Sequence, residues 1–303
     1  LIAGEDISIF FPITMGDSGD LTLRAGQRAD IDSGAVLATG ALTANDLTVE
    51  ADTGITIINA VVDSMDLTIN KTGGVNVSNT QAFSLTGDSK NNDVTASTSG
   101  GDLSVVSIDA GTGDVSLTSG AGSITDADPG SDATANIIAD QVTLSSATGI
   151  GASGNGDLDT TAATLIPSAS GSGAIFITDS NAVSLGATST GSGNITIATV
   201  GSGLLTVSGS VNSSSGDIAL TGDGGVTHAV TGDLTTGGSG TITVQATANA
   251  VTLADGAIYT AAGGAVAITG ATNVALGQVV NPSGCKRPGH LQRQFFLLLK
   301  RFD

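Results

Sequence analysis

The sequence predicts an all-β chain folded as a parallel β-solenoid. Three observations predict it: a short alternating phrase that recurs along the chain, a regular spacing between matching phrases, and breaks crowded with Gly, Asn, Asp and Ser. The phrase is a small or acidic residue, an apolar residue, Thr or Ser, then another apolar residue. It occurs as Asp20-Leu21-Thr22-Leu23, Asp46-Leu47-Thr48-Val49, Asp66-Leu67-Thr68-Ile69, Asp102-Leu103-Ser104-Val105 and Asp114-Val115-Ser116-Leu117. It returns as Asn194-Ile195-Thr196-Ile197, Asp217-Ile218-Ala219-Leu220 and Thr241-Ile242-Thr243-Val244. Each copy reads as a short strand with apolar side chains on one face and a hydroxyl on the other.

The spacing comes next. Leu47 precedes Leu67, Ile55 precedes Val75, Leu103 precedes Ile124, Ile175 precedes Ile195 and Val183 precedes Leu204. A period of about 20 residues holding two or three strands matches one solenoid coil, and about fourteen such coils would stack at about 4.8 Å each. The breaks Asp52-Thr53-Gly54, Lys71-Thr72-Gly73-Gly74, Gly111-Thr112-Gly113, Gly191-Ser192-Gly193 and Gly237-Gly238-Ser239-Gly240 supply residues that tolerate a left-handed corner. Asn45, Asn181, Asn194, Asn249 and Asn273 sit ahead of strands and are candidates for side-chain ladders between coils. The rival all-β architecture, a sandwich, usually carries large aromatic anchors. Here there is no Trp, one Tyr (Tyr259) and 7 Phe, which suits a narrow aliphatic core better.

The predicted core is the inward set Leu21, Leu23, Leu47, Val49, Leu67, Ile69, Ile195 and Ile197. The predicted outward set is Thr22, Thr48, Thr68, Thr143, Thr196, Thr206, Thr243 and Thr252. The net charge of −19 disfavours nucleic acid and anionic membrane. The single cysteine, Cys285, allows no intrachain disulfide, and no apolar run reaches membrane-spanning length. The chain begins at Leu1 without a basic, apolar leader, which reads as an internal piece of a longer protein.

The domain reading is one repeat region over 1–283 and a different, basic tail over 284–303. The tail holds Lys286, Arg287, Arg293, Lys300 and Arg301, with Phe295, Phe296 and Phe302. Three accounts of it stand. It is non-native sequence, such as translation after a frame shift, or Leu291, Phe295, Leu298 and Phe302 line one face of a basic amphipathic helix that either caps the solenoid or touches a membrane surface.

No catalytic, cofactor-binding or metal-binding residue is assigned. His228, in Gly225-Val226-Thr227-His228-Ala229, is the one histidine of the repeat region and is expected at a surface or strand edge. The block Gly154-Asn155-Gly156-Asp157-Leu158-Asp159 resembles a single calcium-binding nonapeptide copy, whereas such sites need tandem copies; the plainer reading is a Gly-rich turn. If Asp46 and Asp66 held equivalent corners they would lie about 5 Å apart, a repulsion a cation would relieve.

With these repeats in view, the chain resembles the filamentous-haemagglutinin-like and autotransporter-like exoproteins of Gram-negative bacteria. The resemblance rests on the Asp/Asn-Leu-Thr-Leu phrases, the period, the abundant Ala, Gly, Ser and Thr, and the scarcity of Cys and Trp over residues 17–280. It implies a right-handed parallel β-helix with about 20 residues per coil. It also implies a structural or adhesive stalk, extracellular or at the bacterial cell surface, without catalysis or cofactor. The expected object is a monomeric rod that does not insert into membrane or bind nucleic acid and meets host or neighbouring-cell glycans or proteins. The alternatives are a polysaccharide-active β-helix enzyme, lyase or hydrolase, and a calcium-stabilised solenoid.

Overall fold

The structure, a computed structural model, describes residues 1–16, 19–27, 33–130 and 134–276, and the backbone of 297–301. Among these residues it contains strands and no helix, and the strand pairings are parallel. The chain divides into two compact units, Leu1–Ala162 and Ala163–Asp303. Each is a β-solenoid, and together they amount to about 11 turns roughly 22 residues apart.

In the first unit one inward column runs Ile7, Val36, Ile55, Val75, Val94, Val115, Val142, with each residue registered on the next. Its coils are uneven. The first, from Ile7 to Val36, and the last, from Val115 to Val142, are long, and those between are shorter and nearly uniform. In the second unit the column is Ile175, Ile195, Ile218, Ile242, Val266. There the coil from Ile175 to Ile195 is the shortest, and each later one is longer. On average the coils are therefore longer, and the turns fewer, than the sequence period predicts. Additional residues fall between strands, as between Ile124–Asp126 and Ile137–Ser146.

β-Branched and leucine side chains fill these columns because alternate residues of a strand face one side. All eight predicted core residues are buried, and none of the eight predicted outward threonines is. Three of the five predicted matches hold in register: Ile55 on Val75, Leu103 on Ile124, and Ile175 on Ile195. Two slip. Leu47 pairs with Met65, and Leu67 with Val49, because that coil is shorter by an even step, which keeps both leucines inside. Val183 pairs with Leu205, not Leu204, which faces out at 38% exposure. Two adjacent leucines leave the alternation ambiguous by one position.

Close stacking sets the composition of the corners. Gly173, Gly193, Gly216, Gly240 and Gly264 each lie two positions before a strand of the Ile175 column, one above another. A Cβ on Gly193 would fall 2.0 Å from the Gly173 carbonyl oxygen, and one on Gly216 would fall 2.1 Å from that of Gly193. Beside this spine runs a buried hydroxyl column, Thr190, Ser213 and Thr236. The Thr190 hydroxyl donates to the Gly193 carbonyl at 3.1 Å and accepts the Gly193 N–H at 2.8 Å. Ser213 donates to the same carbonyl at 2.8 Å and accepts the Gly216 N–H at 2.8 Å.

The first unit solves its corner alike with Asn79, Thr98 and Ser119, also in register and buried. Asn79 Nδ2 donates to the Val62 carbonyl at 2.9 Å, and Ser119 Oγ donates to that of Gly101 at 2.8 Å. Some hydroxyls thus face inward, where a turning backbone leaves polar groups without ladder partners.

The tail departs from the helical reading where it is described. Leu297–Arg301 is a strand registered on Val266–Gly270, Leu297 opposite Val266. Leu291, Phe295, Phe302 and Cys285 lie outside the described residues, as do Lys286, Arg287 and Arg293.

Two kinds of substitution test the stacking. Gly216→Ala is expected to destabilise by about 1–3 kcal/mol through the imposed clash. Gly16→Ala, where nothing lies within 4 Å of the added Cβ, is expected to leave the melting temperature unchanged or slightly raised. Leu67→Asp is expected to unfold its own coil and those on either side at a cost of several kcal/mol; an unchanged melting profile would contradict the packing.

Candidate functional site

The first functional question is what the acidic residue of the repeated phrase does. Asp93 Oδ1 accepts the backbone N–H of Asp114 at 3.0 Å, and Asp114 Oδ1 accepts that of Gln141 at 3.2 Å. The same contact joins Asp6 to Ala35 at 2.9 Å, Asp102 to Ser123 at 2.7 Å, Asp217 to Thr241 at 2.7 Å and Asp233 to Ile258 at 2.8 Å. In every case the donor holds the equivalent position one coil onward. The strand ladder begins one position later: Val94 N–H donates to the Asp114 carbonyl at 2.8 Å. The side chain therefore adds one rung to the ladder before the strand starts.

Asn194 does the same for Asp217 at 2.9 Å, so a neutral oxygen suffices. This explains why Asp and Asn interchange at the head of the phrase. The other Asn candidates hold different positions and form no ladder with one another: Asn249 Nδ2 donates to the Gly224 carbonyl at 2.9 Å, and the Asn181 N–H donates to Asp179 at 2.8 Å. Asn45 and Asn273 contribute backbone carbonyls to Asp63 and Val251.

Asp46 and Asp66 are not equivalent. Asp46 is registered on Ser64 and accepts its hydroxyl at 2.6 Å, while Asp66 lies opposite Thr48 and Thr86. The expected pair of stacked carboxylates does not form there. Gly154–Asp157 makes a turn in which the Gly156 and Asp157 N–H groups donate to the Gly154 carbonyl at 2.8 and 3.1 Å, with Gly154 at φ +73°. Among the described residues no three His, Cys, Asp or Glu side chains gather as a metal site.

The outward threonines make short columns. Thr206, Thr227 and Thr252 stack in register above Ser184, whereas Thr196 and Thr243 alternate with Ala219 and Ala267. Thr22 stacks on Thr48, which stacks on Asp66. Of the basic residues, Arg24 pairs with Glu50 at 3.4 Å, Lys71 with Asp52 at 2.8 Å, and Lys90 with Asp88; Arg28 lies outside the described residues. Phe10 and Phe11, 63% and 82% exposed, stand out between strands Ile7–Ile9 and Ile13–Thr14.

His228 is where the structure most corrects the sequence. The expected surface histidine is 1% exposed and sits in an inward column between Val207 and Leu253. Nδ1 lies 3.0 Å from the Gly232 carbonyl, and Nε2 has no hydrogen-bond partner. Tyr259 of the next coil packs edge-on at 5.0 Å between ring centroids, and its buried hydroxyl is likewise without a partner. Burial lowers the His228 pKa to about 4, against the opposing pull of the Gly232 bond. Burial also raises the Tyr259 pKa well above its ordinary value. The strand parity of Val226-Thr227-His228 places residue 228 inward, and that is the available signal.

Asp223 clamps three coils. Its carboxylate accepts the Thr247 hydroxyl at 2.6 Å from one neighbouring coil and the Ser202 N–H at 2.6 Å from the other. These two donors, Thr247 foremost, hold its carboxyl below the usual range.

No family model, curated protein or solved structure matches the chain. No helix among the described residues is long and apolar enough to cross a membrane.

Asp217→Ala is expected to lose the rung to Thr241 and about 1 kcal/mol of stability, and Asp217→Asn to retain most of it. Denaturant titration of the two variants checks this; equal losses would mean that charge, not the acceptor oxygen, matters. The Asp223 contribution to stability has a set sign: its carboxyl is depressed in the fold, so the contribution is present above the ordinary carboxylate range and lost as pH falls through it. Asp223→Ala is expected to flatten acid unfolding below about pH 4.

Proposed function

We propose that this chain is a structural or adhesive stalk segment of a large secreted or cell-surface bacterial protein, with no catalysis in this segment. The observation that supports the reading most is the columnar stacking within each unit, in which every coil lends its outer faces to solvent and its inner face to its neighbours. Such a chain gains stability coil by coil and can grow from one end as it emerges from a secretion pore. Acidic side chains at several coil corners, Asp93, Asp217 and Asp233 among them, are engaged with backbone N–H groups of the adjacent coil, so they serve cohesion as well as solubility. Binding, on this reading, is spread over the outward faces and belongs to host or neighbouring-cell glycans or proteins.

Force spectroscopy tests the mechanical role. Pulling from the two ends is expected to release the chain in small steps of about 75 Å, the extended length of a coil. One abrupt release of each whole unit would oppose it. Incubation with acidic and neutral polysaccharides tests the absence of catalysis. No new reducing ends and no unsaturated products are expected, and the appearance of either would make the chain an enzyme.

A further inference from the structure

The buried hydroxyls of the second unit, such as Thr190, Ser213 and Thr236, are hydrogen-bonded, whereas among its described residues His228 and Tyr259 bury side-chain atoms without a partner. The column containing His228 reads Leu185, Val207, His228, Leu253 in register, and the adjoining column reads Thr188, Val211, Leu234, Tyr259. Leucine at position 228 would complete the column without leaving a polar atom orphaned. Imidazole instead buries a nitrogen that nothing satisfies.

Its tautomer follows from geometry. The Gly232 carbonyl only accepts, so Nδ1 carries the proton and Nε2 carries the bare lone pair. A second proton would arrive at Nε2, in the core, with no acceptor in reach. The surrounding elements offer no counter-charge. On the next coil Tyr259 is the titratable group facing the ring, and burial keeps its hydroxyl protonated. Asp233, in the turn after His228, is engaged with the Ile258 N–H, and Asp223, ahead of Val226, with Thr247 and Ser202. Asp255, in the turn after Leu253, is exposed. The strands of the preceding coil, Leu205–Val207 and Val211–Ser213, carry no titratable side chain.

We propose that the coil bearing His228 is an acid-sensitive joint: protonation of its imidazole opens Val226–His228, the strand stacked on it, Val251–Leu253, and Tyr259–Ala261, whose tyrosine ring packs against the imidazole, while coils farther away stay folded. The opening is local because each coil contacts only its neighbours. The sign is set by linkage. The unfolded imidazole takes its proton near pH 6.5, and the folded one resists until about 4. The stabilising effect of neutral His228 is therefore complete above pH 6.5 and is lost as pH falls from there towards 4. By pH 4 the folding equilibrium of the joint has dropped by about 100-fold. Asp223, held below the usual carboxylate range, acts at lower pH.

The test is hydrogen exchange on the full chain between about pH 7.5 and 4.3, comparing residues 226–261 with the strand Ile175–Asp179 as internal reference. Protection of 226–261 relative to the reference is expected to fall about 10-fold per pH unit below 6.5, and His228→Leu is expected to abolish that dependence. A parallel fall in both segments, or the same dependence in His228→Leu, would overturn the proposal. If His228→Leu fails to fold, NMR titration of the wild-type imidazole decides: a folded-state midpoint well below 6.5 supports the joint, and one near 6.5 refutes it.

Discussion

Every coil in each unit depends on the coil beside it for backbone hydrogen bonds it cannot make alone. Parallel strands have no partner within their own turn; the N–H and C=O groups point towards the neighbouring coils at the spacing of about 4.8 Å that defines a parallel ladder. Whatever the sequence places on the coils must respect that spacing. The inward columns of Ile, Val and Leu do so because β-branched and leucine side chains pack on themselves at one strand's distance. The glycine spine from Gly173 to Gly264 does so because no side chain fits where each corner lies on the carbonyl of the last.

The same constraint explains where polar groups go. A ladder that ended abruptly at each strand would leave corner groups unpaired, and two devices prevent this. On the outside, Asp or Asn ahead of the strand accepts the next coil's N–H, as Asp93 does for Asp114. On the inside, small hydroxyl and amide side chains such as Ser213 and Asn79 satisfy the turning backbone. The composition of the chain, poor in aromatics and rich in Gly, Ser, Thr and Asp, follows from these corner requirements as much as from the core. His228 and Tyr259 are the exception. They fill their columns sterically while leaving Nε2 and a hydroxyl unsatisfied, which places unpaired polar atoms in the interior of the second unit.

A short alternating phrase is enough to identify strands and to say which residue faces in, since the period of two is local. On that basis the parallel solenoid, the eight core residues, the eight outward threonines and the glycine-bearing turns are all legible. The inward position of His228 is legible too when parity is applied to it, in place of the general expectation that a lone histidine lies at the surface.

Register is legible only in part, with three of five matches held, because it depends on how much chain each corner consumes. Coils differ in length because their corners differ in path, so Asp46 meets Ser64 and Val183 meets Leu205. The role of the leading Asp is hidden for the same reason: its partner is an N–H a whole coil away, identifiable only once the coils are stacked. The sequence by itself determined the architecture, the faces and the corner chemistry, all of which follow from steric rules acting over a few residues. Only the tertiary structure decided which coil residue sits on which, where the carboxylates find their donors, and that one imidazole is sealed in the core without a counter-charge, because those are consequences of neighbours brought together from separate turns.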